Sequence, residues 1–529
     1  MFSYVRDGPS CIPAFGIWQK GKLRRIDDAA VSGANDRTQM LETIVCDAAD
    51  LPADIATEFA SYWDVCDSDF VLGIGTDDIG SAYRVCIPSR NPEHTIAAVW
   101  KPAAAGGAEG VYYFVLRGFN FGLKSAPLHL GSVLSPLVDF ARRFFLIACG
   151  RFYDDVVAVD AAKGGASAQL CLSFLFQKIG FPFAPKKHER MRRANPFLGM
   201  VTDFSYIALG YVLIRVKEQR RRKLVAEIQE VLRIKRLTPA HAARLRGKLY
   251  FTTCSAFYGI GRPALQALTK RQYDKGKTSK LTPELESCLR FFIALLARLP
   301  PRRVRLKPDE RGLLYVWSDA MYEALRNDAG GYASALDPDT GEVVYLGRAT
   351  IAFVVFDAES GEWHVGSRDI GLEEIRLMVP GKKTYIGQLE ALAADAVLHT
   401  LPPDVLHGRS AMFWIDNLSA KYGLQRAYSK VADTGRIINA FKVKQAALEI
   451  RVWFEYVPSE QNVADLPSRG AWERFYEVVD SVCPAGWRCT EYAFVKFSDF
   501  SSWESPLREL PLARKRARHG SRGAKRRKA

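Results

Sequence analysis

The chain of 529 residues is 48% hydrophobic and 25% charged, ordinary proportions for packed globular protein, and its length suggests about two to four domains. No stretch approaches the roughly 18 uninterrupted apolar residues of a bilayer span, and the opening MFSYVRDGPSCIPAF lacks the order of a secretory signal, so an intracellular protein without a membrane partner is expected. The ten cysteines are scattered and form no CxxC, which argues against a disulfide framework or a structural zinc.

The 74 basic residues outnumber the 58 acidic ones, for a net charge of +16. Residues 514–528 carry +9 and residues 215–307 carry +18, so the rest of the chain is net −11. A basic middle and a basic tail attached to acidic regions suit an enzyme acting on nucleic acid, with cationic surfaces for phosphates and carboxylates where metals would sit. A generally basic, solvated surface is the plainer alternative.

In chain order, residues 1–70 mix turn signals with short apolar runs around the basic stretch WQKGKLRRIDD at 18–28. From 71 to 210 the text alternates: FVLGIGTDD, FFLIACG and VVAVD are predicted strands and AQLCLSFLFQKIG a predicted helix, which makes a mixed α/β domain. Residues 211–308 turn helical, in RRKLVAEIQEVLRIKR and in LTPAHAARLRGKLYFTT, where Thr238 and Pro239 form a helix start. The run PPRRVRLKPDERG at 300–312 reads as a linker, since prolines and charges break every period. A second α/β block covers 309–470, with LLYVWSD, IAFVVFD, AMFWIDN and VWFEYVP as strands, YIGQLEALAADAVLHTL as a helix, and DPDTGE and DAESGE as hairpin turns. Residues 471–529 form a C-terminal extension, aromatic without a clear period to 510 and then a low-complexity basic tail expected to be disordered.

Two acidic pairs lie at strand ends in the first block. Asp77 and Asp78 close the apolar run VLGIG, and Asp154 and Asp155 sit between two apolar runs as the turn of a hairpin would. Nucleotidyl transfer between two divalent cations needs carboxylates of neighbouring strands converging on metals about 4 Å apart, one activating the 3′-hydroxyl and one neutralising the pyrophosphate. Taken singly, either pair is also ordinary turn chemistry with solvated side chains. The second block offers four separated acids: Asp319 ending YVWSD, Glu390 on the helix GQLEALAAD, Asp416 ending FWIDN, and Asp465 in NVADLPSR. With no nucleophilic side chain among them, such a set fits a metal-activated water attacking a phosphodiester.

In order and spacing, five motifs of the first block resemble those of reverse transcriptases: DIGSAYR at 78–84, FNFGLKSAP at 119–127, FYDD at 152–155, GFPFAPKKHE at 180–189 and FLGM at 197–200. The four acids of the second block resemble those of ribonuclease H, and NVADLPSR is similar to the closing motif of retrotransposon ribonuclease H domains. Residues 237–266 resemble the connecting helices of elements related to DIRS-type retrotransposons, and the whole resembles gypsy/DIRS-type elements. The resemblance implies a multidomain α/β and α+β chain, a right-hand polymerase of fingers, palm and thumb followed by a ribonuclease H-like α/β domain. Partial fingers would cover 1–70, a palm with an inserted fingers segment 71–210, a basic helical thumb and connection 211–308, and the ribonuclease H-like domain 309–470.

It implies RNA-directed DNA synthesis and hydrolysis of the RNA strand of hybrids, each with two ions of Mg²⁺ or Mn²⁺. The metal ligands would be Asp78, Asp154 and Asp155 at one site, with Asp77 a bystander, and Asp319, Glu390, Asp416 and Asp465 at the other. Lys187, or adjacent Lys186, would protonate the leaving pyrophosphate. Tyr83 would block a ribose 2′-hydroxyl, although a packed core tyrosine is the alternative; Phe121 and Gly122 would border the nucleotide, and Lys22 and Arg24 would hold its triphosphate. Implied partners are RNA and DNA template-primers, RNA–DNA hybrid, dNTPs and other parts of a retroelement polyprotein. Three departures stand out: Met321 where the family has a small hydroxyl residue, a longer stretch to Gly330 and Gly331, and Asn120 in place of a common proline. A catalytically inert nucleic-acid-binding scaffold and a plain nuclease are the other readings, and the tail is either a nuclear-import signal or a nucleic-acid-binding arm.

Overall fold

The computed structural model describes residues 12–510 apart from 20, 37, 66, 68, 87–95, 102–109, 116–117, 257, 275, 277–278, 299–300, 308–310, 329–332, 337–342, 379–383 and 484–485. The basic tail, the turn DPDTGE and the glycines at 330 and 331 lie outside the described residues. The chain forms two compact units, Met1–Ile214 with Arg303–Lys307, and Arg215–Arg302 with Pro308–Ala529.

In the first unit a hairpin of β1 (Ile12–Gln19) and β2 (Lys22–Asp27) is followed by α1 (Leu51–Tyr62), β3 (Leu72–Asp78), the short α2 (Ala82–Val85), β4 (Ile96–Lys101) and β5 (Gly110–Val115). Then come α3 (Ala126–Phe144), β6 (Ala148–Phe152), β7 (Asp155–Ala161), α4 (Ser167–Lys178), β8 (Glu189–Arg192), β9 (Ala194–Phe197), β10 (Met200–Asp203), β11 (Tyr211–Val216) and β12 (Arg302–Arg305). They make three four-stranded sheets, ordered β2-β1-β4-β5, β6-β7-β3-β8 and β12-β11-β10-β9. The middle sheet carries the first acids. Its strand β3 is glycine-rich because neighbours crowd it: a Cβ at Gly73 would fall 2.6 Å from Met191, and one at Gly75 2.7 Å from Gln169 of α4. Helix α3 buries Ala126, Leu130, Leu134, Val138 and Ala141, a three-to-four spacing that turns one face to the core shared with Val156 and Ala158 of β7.

Two expectations from sequence are corrected here. Helix α3 runs on to Phe144 and β6 starts only at Ala148, so FFLIACG is strand in its second half alone; the helical period continues through Val138 and Ala141. The supposed linker contains β12, an edge strand of its sheet, where Arg303 is exposed and Arg302 and Arg305 are half-buried.

The second unit opens with four helices, α5 (Glu218–Ile234), α6 (Pro239–Ala256), α7 (Gln266–Gln272) and α8 (Pro283–Arg298). Helix α5 buries only Leu224, Ile228 and Val231, one narrow stripe on an otherwise charged rod. Next come β13 (Leu314–Ala324), a hairpin of β14 (Ser334–Leu336) and β15 (Val343–Tyr345), β16 (Gly347–Asp357), β17 (Glu362–Asp369), α9 (Leu372–Arg376), α10 (Ile386–Thr400), α11 (Pro403–Leu406) and β18 (Ser410–Ile415). The unit closes with α12 (Leu418–Arg426), α13 (Ala432–Ala447), β19 (Arg451–Tyr456), α14 (Asp465–Ser468), α15 (Trp472–Val482) and β20 (Arg488–Tyr492). One six-stranded sheet runs β19-β18-β13-β16-β17-β20, antiparallel among β13, β16 and β17 and parallel at its other pairings.

Helix α10 is buried all round from Gln388 to Leu398, lying against β13, β16 and α13, which draws Glu390 and Asp395 into the interior. The aperiodic stretch after 470 is integral to this unit: β20 extends the sheet, and Val495 and Phe500 join the core of β13, β16 and α10. The four opening helices pack on the same unit, with the Gly261 amide donating to Asn439 Oδ1 of α13 at 2.8 Å and the Tyr428 hydroxyl to Gln266 Oε1 at 3.0 Å. A Cβ at Gly261 would lie 2.8 Å from Phe291, and its φ of +81° is one a side chain rarely adopts.

Candidate active sites

The antiparallel register of β3 and β7 sets Asp78 directly opposite Asp155. Strands β6 and β7 join through Tyr153 and Asp154, with Phe152 paired to Asp155 across the turn. Tyr153 takes φ +53°, a left-handed conformation costing a non-glycine residue about 1–2 kcal/mol. The Ile79 amide donates to the Asp154 carbonyl at 3.0 Å, tying this turn to the end of β3, and Lys187 Nζ lies 2.5 Å from Asp78 Oδ2. Burial, followed by the charges of Asp154 and Asp78 and a hydrogen bond with Asp78, pushes the Asp155 carboxyl up to about 6; burial likewise raises Asp154. Three carboxylates with a single lysine on them have more negative charge than the protein balances, but they converge less closely than the acids of the second unit: among the described residues only Asp319, Glu390 and Asp416 bring carboxylate oxygens within 4.8 Å of one another.

Tyr83 is held near this turn, its phenol pushed up to about 12 by burial and then by the Asp154 charge. Its ring meets Phe121 edge to face at 5.2 Å between centroids. Gly122, at φ +96°, runs so close to β2 that a Cβ there would fall 2.5 Å from the Asp27 carbonyl oxygen. Lys22 and Arg24 lie on β2 opposite Gln19 and Ile17; their side chains are outside the described residues. Asp77, on the other face of β3, is 6% exposed and holds two groups absent from the sequence-based site: His188 Nδ1 at 2.7 Å and Gln169 Nε2, which donates at 2.8 Å. His188 follows Lys187 directly, so Asp77 braces the segment that presents the lysine. The adjacency of His188 in KKHE was the available signal; nothing local marks Gln169.

In the second unit, Asp319, Glu390 and Asp416 each present a carboxylate oxygen within 4.8 Å of the others. Asp319 lies inside β13 rather than at its end, because the strand continues to Ala324. Its parallel pairing with β18 stops at Ser318 and Ile415, which opens the sheet beside Asp319 and Asp416. Glu390 is 3% exposed, and its Oε2 has no hydrogen-bond partner. Burial and then the charges of Asp319, Asp416 and Asp465 hold Glu390 well above the usual carboxylate range; burial takes Asp319 to about 7, against the opposing Ser468 bond. An acid triad with two buried members, a half-buried third and an orphaned oxygen has the donor set for a divalent cation. Asp465 stands outside the triad, with its Oδ1 accepting from Arg469 Nε at 2.7 Å.

Three more residues of NVADLPSR serve this centre without having been assigned a role from sequence. Ser468 Oγ donates to Asp319 Oδ2 at 2.5 Å, Asn462 Nδ2 reaches Ser318 O at 3.2 Å and Asp319 Oδ1 at 3.4 Å, and Arg469 neutralises Asp465.

No protein-family model matches the chain, and no curated protein is similar enough to count as a match. Among solved structures it is similar to the foamy viral protease–reverse transcriptase dRH in complex with double-stranded DNA, at 15% identity and a TM-score of 0.41, over 84% of this chain. It spans 65% of that chain's length. It is also similar to the foamy viral protease–reverse transcriptase in complex with double-stranded DNA, at 12% identity and a TM-score of 0.42, over 85% of this chain and 78% of that one.

Proposed function

We propose that the chain is a retroelement reverse transcriptase, an RNA-directed DNA polymerase acting through Asp78, Asp154 and Asp155, with ribonuclease H activity at Asp319, Glu390, Asp416 and Asp465. The observation that carries the reading is the strand register that opposes Asp78 and Asp155 and turns Asp154 beside them, with Lys187 on the same acid. Mg²⁺ or Mn²⁺, two ions per site, would be held by these carboxylates and would supply charge neutralisation and a lowered pKa for the attacking oxygen. Lys187, on the Asp78 carboxylate, is placed to give a proton to the leaving pyrophosphate, and Tyr83 with Phe121 forms the wall against which a nucleotide sugar packs. In the second unit Ser468 and Asn462 fix the rotamer of Asp319, and Arg469 pairs with Asp465.

In this reading residues 1–70 and 71–210 are fingers and palm, 211–308 thumb and connection, and 309–470 the ribonuclease H-like domain, with the charged helix α5 meeting phosphates. The partners are RNA or DNA template-primers, hybrid and dNTPs.

The test is primer extension on a labelled RNA template with Mg²⁺, comparing the intact chain with Asp154→Asn and Asp416→Asn. Extension lost only in the first variant and template cleavage lost only in the second is the expected result. An intact chain that binds hybrid yet neither extends nor cuts would make it an inert scaffold, and cleavage without any dNTP incorporation would make it a nuclease.

A further inference from the structure

Arg84 directly follows Tyr83, and its guanidinium reaches two ways. Nη2 donates to Asp27 Oδ2 at 2.5 Å, and Nη1 donates to Asn120 Oδ1 at 2.9 Å. Asp27, 2% exposed, also takes Arg25 Nε at 2.7 Å; Asn120 is fully buried, and its Nδ2 has no hydrogen-bond partner. The Arg84 guanidinium stands 5.5 Å from the centroid of the Phe121 ring, which in turn meets Tyr83. The backbones are equally close: the Phe119 amide donates to the Tyr83 carbonyl at 2.9 Å, and a Cβ at Gly118 would fall 2.1 Å from the Arg84 carbonyl oxygen. Three stretches far apart in sequence, the end of β2, helix α2 and the loop before α3, are thus locked around one ion pair whose carboxylate is buried and whose guanidinium is partly buried.

Tyr83 needs such a lock. It rides on α2, a helix of four residues with no side-chain cap, entered through Ser81 at φ +57°. So short a helix has almost no stability of its own, and a wall can reject an extra hydroxyl only if it does not yield. We propose that Arg84, anchored on Asp27 and Asn120, is a positioning residue that fixes the Tyr83–Phe121 wall and thereby sets discrimination between deoxyribose and ribose beside Asp154. This rests on the polymerase reading above. It also accounts for the departure at position 120: a proline there would offer Arg84 no side-chain acceptor, whereas asparagine supplies one in the interior.

Single-nucleotide incorporation of dUTP and UTP, which differ only at the 2′-hydroxyl, on one RNA template-primer tests the proposal, using the full chain, Asn120→Ala, Arg84→Ala and Arg84→Lys. Losing a charge-assisted hydrogen bond is expected to lower the dUTP-over-UTP ratio of kcat/KM about tenfold in the two alanine variants. The change should come mainly from KM, with Arg84→Lys, which retains the charge on Asp27, in between. An unchanged ratio with kcat falling alike for both nucleotides would overturn the proposal, because a merely structural role gives that pattern. Thermal unfolding identifies any variant that has lost its fold, and Arg84→Lys then carries the comparison. If the unaltered chain incorporates neither nucleotide, the polymerase reading fails and this inference with it, whereas normal incorporation with an unmoved ratio sinks the inference alone.

Discussion

Lys442 on α13 is 7% exposed, against the rings of Phe441 and Phe454, and its ammonium donates to Gln445 Oε1 at 3.0 Å. Burial takes its pKa from 10.5 down to about 8. At about 1.4 kcal/mol per pH unit, a charged Lys442 costs the folded chain about 3 kcal/mol at pH 7. Below pH 8 the lysine is charged in both folded and unfolded chains and the full cost applies. Between pH 8 and 10.5 it is neutral only when folded, so the unfolded chain binds the extra proton and stability rises with pH. Replacement by methionine removes the cost but leaves Gln445 Oε1 without its donor, a loss of about 1–3 kcal/mol, and forfeits the attraction of the cation to the two rings. The net gain at pH 7 is therefore small, about 1 kcal/mol. The pH dependence is the sharper signal: the advantage of Lys442→Met should fall by about 3 kcal/mol between pH 7 and 10.5 and reverse sign. Urea unfolding of both proteins at several pH values in that range, followed by circular dichroism, reads this directly. A stability difference that stays constant across the range would refute the picture of a buried, ionised lysine.

Ser468→Ala leaves Asp319 buried among like charges with only the longer hydrogen bond from Asn462, so Mg²⁺ should bind the second centre about 10- to 100-fold more weakly, from the roughly 1.5–3 kcal/mol of a charge-assisted bond. A Mg²⁺ titration of RNA cleavage checks this, and an unchanged half-saturation would exclude a positioning role for the serine. His399 lies between Asp395 and Glu509: burial pulls it down, but the two carboxylates outweigh burial and hold it above 6.5, while His399 and Lys444 hold Glu509 below 4.5 against its own burial. Both groups of this pair are fully charged between these two values, and the stabilisation fades as pH rises through the raised histidine pKa. Glu509→Gln should therefore lower the unfolding temperature more at about pH 5.5 than at about pH 8.5, and an equal drop at both would contradict the pairing.

Much of the architecture was legible because periodicity reports burial. The runs around Ile74, Val157, Ile351 and Phe413 are strands since β-branched and aromatic residues fill interior positions, and α10 was visible as an unbroken apolar helix around Glu390. The edge strand β12 was not, because arginines beside a proline look the same in a loop as on a solvated edge. Nor was the fit of residues 471–510, where Val495 and Phe500 join a core assembled from β13, β16, α10 and α13. The acids could be read from their motifs, as each ends or interrupts an apolar run. Their supports could not: Gln169 reaches Asp77, and Arg84 reaches Asp27 and Asn120, only through the tertiary fold.

On the proposed function, the two carboxylate clusters are separate metal centres. Crystals of the full chain soaked in Mn²⁺ and measured at the manganese absorption edge test it most directly. Anomalous peaks are expected on Asp78 with Asp154, and on Asp319 with Glu390 and Asp416, the first abolished in Asp154→Asn and the second in Asp416→Asn. Featureless maps at both clusters, with Lys187 and Arg469 remaining the counter-ions of Asp78 and Asp465, would contradict it.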